Sequence, residues 1–144
     1  MFYLNVEAAV KKDNKWLIIG RSEKEEHAGG LLSLVGGTVE KEGNSRNILE
    51  RTLRRELFEE VGIKVGDKME YVRNTSFQLD DGSEVIDIVF LCELADGAPF
   101  VKSPDEVDHV YWMTTDEIIK HPKSPVWLID SIRESDTLMK SKVK

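Results

Sequence analysis

The sequence predicts a mixed α/β fold, a mixed β-sheet with helices on its faces. Three observations predict it. Two groups of strand-like runs flank one central stretch of helical period. Turn chemistry separates the strands at short intervals. Helix-start signals return only near the C-terminus, after the last strand. Strands, helix, strands and then helices suit a single sheet covered on its faces.

The elements follow in order. LNVEAAV (4–10) and KWLIIG (15–20) read as strands joined by the turn-rich KKDN. RSEKEEHAGGLLSL (21–34) reads as a polar, glycine-containing loop, followed by a Gly36–Gly37 turn and a charged loop to about Gly43. NILERTLRRELFEEVG (47–62) reads as a helix. Asn47 is its expected cap, with Glu50 as capping-box partner and Ser45 as a rival cap. Gly62 is its stop. MEYVRNTSFQL (69–79) and EVIDIVFLCEL (84–94) read as strands of a hairpin turned by DDG (80–82). DEVDHVYWM (105–113) leads into another strand. Thr114 with Glu117 forms a capping box for a short helix, and Ser124–Pro125 opens a last helix to about Leu138.

With 144 residues, 40% apolar and 33% charged, the chain fits one globular domain over 1–144 with one sizeable core. No apolar run approaches the roughly 20 residues of a membrane span. No basic segment leads into an apolar one at the N-terminus, and the lone Cys92 has no internal disulfide partner. Both features suit a reducing cytoplasm. Cys92 lies in an apolar alternating run and reads as core packing. The net charge of −7 disfavours polymeric nucleic acid and anionic membranes. A small polyanion remains an acceptable ligand if divalent cations stand between it and the acidic side chains.

The helix at 47–62 poses the chemical question. Leu49, Leu53, Leu57 and Val61 form an apolar stripe at i, i+4 spacing. Glu56 and Glu60 fall within that stripe or at its edge, and Glu59 lies on one flank. A solvated acidic face belongs opposite the leucines, and these two glutamates are not there. A carboxylate near a core face needs a partner, and Arg55 alone does not neutralise three. A hard divalent cation would, and the i, i+3, i+4 spacing aims the three acids at one small volume. A solvated helix with arginine-paired glutamates is the alternative.

The stretch GGTVEKEGNSRNILERTLRRELFEEVGI (36–63) resembles the Nudix box. Arg55, Glu56, Leu57, Glu59, Glu60, Gly62 and Ile63 occupy the fixed places of its C-terminal half, after a glycine pair and a nearby glutamate. Arg21 at a strand end and DEVDHVYWMTTDEI (105–118) resemble the family more weakly. The chain departs from the pattern at Asn47, where the family has Glu, and nine residues separate Gly37 from Asn47 where the pattern has five. Glu40, Glu42 and Glu50 are near that place but out of register. Val35 stands where many relatives have proline.

The resemblance implies an α/β/α sandwich and a Mg²⁺- or Mn²⁺-dependent pyrophosphohydrolase. It would cleave a phosphoanhydride in a nucleoside diphosphate linked to another group: a nucleoside triphosphate, an ADP-ribose-like molecule or a dinucleotide. The attacking species would be a metal-activated water. Glu56, Glu59 and Glu60 would be metal ligands, with Gly36–Gly37 letting the backbone approach the ion, through the Gly37 carbonyl. Glu56 or Glu59 could serve in catalysis. Arg55 would orient a glutamate by a bidentate contact. Glu106 is the later-loop candidate for general base, with Asp105 and Asp108 as competitors, and Arg21 is a candidate phosphate contact. Many relatives are homodimers. The alternative is a Nudix-like module that senses a nucleotide without cutting it. Tyr71, Phe77 and Trp127 could stack a base, but their patterns favour core packing. His27, His109 and His121 have no zinc spacing.

Overall fold

A computed structural model describes residues 2–142. The strands are β1 (Phe2–Lys12), β2 (Lys15–Arg21), β3 (Leu32–Ser33), β4 (Val35–Thr38), β5 (Lys64–Val65), β6 (Glu70–Gln78), β7 (Glu84–Asp96) and β8 (Val107–Met113). The helices are α1 (Ile48–Val61), α2 (Thr115–Lys120) and α3 (Val126–Ser141). The eight strands form one sheet with the path β3-β2-β1-β7-β5; β4 pairs with β1, β6 with β7 and β8 with β2. β1 and β7 run parallel at its centre, and the other pairings are antiparallel.

Side-chain alternation along the central strands builds two cores. Val6, Ala8, Val10, Leu17, Ile19, Phe90 and Cys92 face one side, where Leu53, Leu57 and Val61 of α1 meet them. Ala9, Trp16, Ile18, Val89 and Leu91 face the other, against Ile118 of α2 and Leu128 and Ile132 of α3. The result is the expected α/β/α arrangement. Cys92 is buried, and burial pushes its thiol up to about 12. The leucine stripe is the buried face of α1, and each such side chain contributes about 1.5–3 kcal/mol by leaving water.

Several local expectations are corrected. The segment read as loop and glycine turn contains β3 and β4, and Gly36 and Gly37 lie in a strand paired with Glu7 and Val6. A two-residue and a four-residue strand are too short to show alternation, and pairing with β1 and β2 creates them. β5 escapes the sequence for the same reason. Asn47 occupies the N-cap position of α1 in the left-handed region (φ 55°, ψ 39°) and makes no side-chain cap, so its predicted box with Glu50 does not form. The loop is braced instead by Glu42, whose carboxylate lies 2.6 Å from Arg51. Pro125, not Ser124, is the N-cap of α3. Thr114 and Glu117 do form their box, with Glu117 N–H donating to the Thr114 hydroxyl at 3.2 Å and Thr114 N–H to Glu117 at 2.9 Å. The DDG hairpin closes with Gly82 at φ 89°. Tyr71 and Trp127 are exposed and Phe77 half-buried, so the expectation of core packing fails for all three.

Candidate active site

α1 packs its C-terminal half against β4 and presents Glu56 and Glu60, one turn apart, beside the end of the leucine stripe. Gly37 makes this approach feasible: a Cβ there would lie 2.4 Å from Glu56 Cδ. A Cβ on Gly36 would lie 2.0 Å from the Val6 carbonyl oxygen, so this glycine serves the contact with β1. Both glycines also line the cavity that holds Glu56, Glu60 and Glu106.

Glu106 arrives from the loop before β8. Its carbonyl accepts from Ser22 N–H at 2.9 Å and its N–H donates to the Ser103 carbonyl at 3.0 Å. One carboxylate oxygen from each of Glu56, Glu60 and Glu106 lies within 4.8 Å of the others. Of the predicted ligands, Glu56 and Glu60 therefore come together, Glu106 joins them, and Glu59 does not. Glu59 sits on the flank, 59% exposed, with Arg55 Nε 3.9 Å away. Arg55 also reaches Glu56, at 3.4 Å. It therefore touches two glutamates singly, which corrects the expected bidentate contact with one. Asp105 pairs with Lys24 at 3.6 Å, and Asp108 accepts from Glu23 N–H at 3.4 Å. Neither joins the cluster.

The electrostatics follow from crowding. Burial pushes Glu60 up to about 10, helped by a hydrogen bond and repulsion from Glu56 and by the charge of Glu106, with Arg21 opposing. A hydrogen bond between two carboxyl groups requires a proton on one of them. Glu60 Oε2 is buried and has no hydrogen-bond partner. Burial raises Glu106 as well, with Glu56, Glu25 and Glu59 adding to it. Three convergent hard oxygens, with an orphaned buried oxygen on one of the same carboxylates, fit a divalent cation such as Mg²⁺ or Mn²⁺. His27, His109 and His121 belong to no such group among the described residues.

Arg21 ends β2 just after a register shift and lines the cavity of about 290 Å³ that holds Glu56, Glu60 and Glu106. Its guanidinium lies 3.6 Å from Glu25, and its Nε donates to the His27 carbonyl at 3.2 Å. Two further acids went unrecognised in the sequence. Glu7 of β1 and Asp87 of β7 line the same cavity. Burial pushes Glu7 well above the usual carboxylate range, with the charge and hydrogen bond of Asp87 adding to it. Burial raises Asp87 too, against the hydrogen bond from Glu7 and the charge of Arg73. The available signal was an acid at alternate places in an otherwise apolar strand: Glu7 between Val6 and Ala8, Asp87 between Ile86 and Ile88.

Comparison with known proteins agrees with the box and the fold. No curated protein matches the chain. Among solved structures, a MutT NUDIX hydrolase from Burkholderia pseudomallei superposes with TM-score 0.78 at 23% identity, covering 93% of this chain and 98% of its own. The MutT protein from Methanosarcina mazei Go1 gives 0.78 at 22% identity, covering 96% of each. A UDP-X diphosphatase gives 0.72 at 19%, covering 98% of this chain and 64% of its own. The NUDIX domain profile matches residues 3–133, and the chain accordingly belongs to the NUDIX domain family, hydrolases that act on phosphoanhydride bonds.

Proposed function

We propose that this hydrolase is a divalent-metal-dependent pyrophosphohydrolase of small nucleotides, cleaving a phosphoanhydride bond in a nucleoside diphosphate linked to another group. The observation that carries the reading is the convergence of Glu56, Glu60 and Glu106 with a buried carboxylate oxygen left without a donor. In this reading Glu56 and Glu60 hold Mg²⁺ or Mn²⁺. Glu59, on the flank, would be the third box acid of the set, and Gly37 clears space for Glu56. A bound ion supplies positive charge for a polyphosphate and acidifies a water.

The chain's own groups do the rest. Glu106, whose proton affinity is raised, takes the proton from the attacking water. Glu56 is the second carboxylate near that proton. Arg55 holds Glu56 and Glu59 apart and oriented. Arg21, at the cavity wall, receives phosphate oxygens once it leaves Glu25. The water-attack geometry is then a matter of positioning and charge. The whole of 1–144 acts as one domain, in a reducing cytoplasmic setting that fits the single buried Cys92, and as a homodimer.

The substrate class draws support from the neighbours' names, one of which is a UDP-X diphosphatase. The altered box at Asn47 motivates a sensor that binds without cutting. Glu42 bracing Arg51 at 2.6 Å weakens that alternative, because the loop-to-helix junction has its own support. The test is a Mg²⁺-dependent hydrolysis screen over nucleoside triphosphates, ADP-ribose, dinucleoside polyphosphates and nucleotide sugars, with Glu60→Gln as control. Turnover lost in the control supports the enzyme. Tight binding without turnover on any substrate replaces it with the sensor.

A further inference from the structure

Beside the carboxylate cavity lies a second one of about 440 Å³, sharing Asn5, Glu7, Arg21 and Asp87 with the first. Its walls are more apolar, and three aromatic rings from three elements meet there. The His27 imidazole, from the loop between β2 and β3, lies 5.4 Å from the Phe77 ring of β6 at an interplanar angle of 8°. It lies 6.4 Å from the Trp127 ring of α3 at 21°. Nothing local aligns these rings, since Phe77 and Trp127 lie 50 and 100 residues from His27 in the chain.

His27 is exposed, as is Trp127, so burial does not hold the stack. The His27 backbone is tethered by one hydrogen bond, from Arg21. Arg21 itself faces the carboxylate cavity. The polar members of the aromatic cavity include Glu7, Asp87, Ser33 and Arg73. The Asn5 amide can donate there, and the carboxyl groups of Glu7 and Asp87 can accept.

We infer that His27 occupies, in the free protein, the place of a flat heteroaromatic ring whose edge bears both donors and acceptors, and that such a ligand displaces it from Phe77 and Trp127. An imidazole is the protein's nearest imitation of that ring. Phosphate entering beside Arg21 would loosen the tether on His27, so that the two ends of a nucleotide cooperate. This part rests on the nucleotide reading above; the ring slot itself does not.

The test follows the Trp127 indole N–H by NMR, assigned with Trp127→Phe, during titrations with benzimidazole and with the nucleoside monophosphates. Wild type, His27→Ala and His27→Phe are compared. His27→Ala should bind benzimidazole and at least one monophosphate about threefold to tenfold more tightly than wild type, because the self-stack no longer competes. His27→Phe, which keeps a plug, should not tighten. Trp127→Ala, followed through the Phe77 ring protons, should lose the binding. Unchanged or weaker binding in His27→Ala overturns the inference and makes His27 a wall or a roof. If benzimidazole tightens and no monophosphate binds, the slot stands and the nucleotide reading falls. If hydrolysis is found and His27→Ala tightens nothing, the slot falls and the enzyme stands.

Discussion

Two groups of acids lie within one cavity and meet different fates. Glu7 and Asp87 sit on adjacent central strands. They share a hydrogen bond, accept help from Ser33 and have Arg21 and Arg73 nearby. Glu56, Glu60 and Glu106 come from a helix and a loop. They have Arg55 at 3.4 Å from one member, the more distant charge of Arg21, and a buried Glu60 oxygen without a donor. Burial raises Glu7 and Asp87 in the first, and Glu60 and Glu106 in the second, above the usual carboxylate range. The first is nearly complete as built and functions as a polar floor. The second is incomplete: a buried Glu60 oxygen has no donor. Burial is therefore common to both groups, and the missing donor is what separates them.

The sharpest way to break the comparison is to neutralise one member of each group. Glu60→Gln should lower Mg²⁺-dependent hydrolysis by about 100-fold or more. It should also abolish the Mg²⁺-induced rise in melting temperature that linkage requires of a bound ion. Phosphate release and calorimetry with and without Mg²⁺ read both, and a persisting Mg²⁺ shift would move the ion elsewhere. Gly37→Ala should cost nearly as much activity, about 100-fold, because its Cβ would meet Glu56 Cδ at 2.4 Å and displace that carboxylate. Its melting temperature should fall far less than that of Gly36→Ala, whose Cβ meets backbone at 2.0 Å.

Glu59→Gln sharpens the boundary of the cluster. Exposed and paired with Arg55, it should lower kcat by about tenfold, clearly less than Glu60→Gln. Equal losses would put Glu59 in direct contact with the ion. The smallest effect is expected at the other group. The folded-state pKa of Glu7 is raised, so the protonated pair's contribution is complete below the unfolded carboxylate range, near pH 4. It is lost as pH rises through the raised folded value. Glu7→Gln keeps a donor to Asp87 at every pH. It should therefore match wild type in acid and exceed it by about 1 kcal/mol in alkaline solution, measured as urea midpoints below about pH 4 and near pH 9. A Mg²⁺ affinity that falls in this variant would merge the two groups into one.

Much of this site was legible in the sequence. The apolar stripe Leu49, Leu53, Leu57 and Val61 has a strict period, and period alone fixes which direction Glu56 and Glu60 face relative to it. That geometry is local to one helix, so it survived folding unchanged. For the same reason the Thr114–Glu117 cap and the DDG hairpin were correctly read, since their partners lie within four residues. The failures have the opposite character. Asn47 sits in the left-handed region without capping, while Glu42 and Arg51, nine residues apart, brace the loop.

By itself, then, the chain determined its longer strands, its central helix and two of the three acids that converge, because these depend on contacts a few residues apart. Only the tertiary structure decided that Glu106 joins them while Glu59 stays on the flank, that Gly36 and Gly37 serve β1 and Glu56, and that Glu7 and Asp87 pair beneath. Each of these is a meeting of segments far apart in the chain. The register between strands and the seating of α1 on β4 set those meetings, and neither is written in any single stretch of residues.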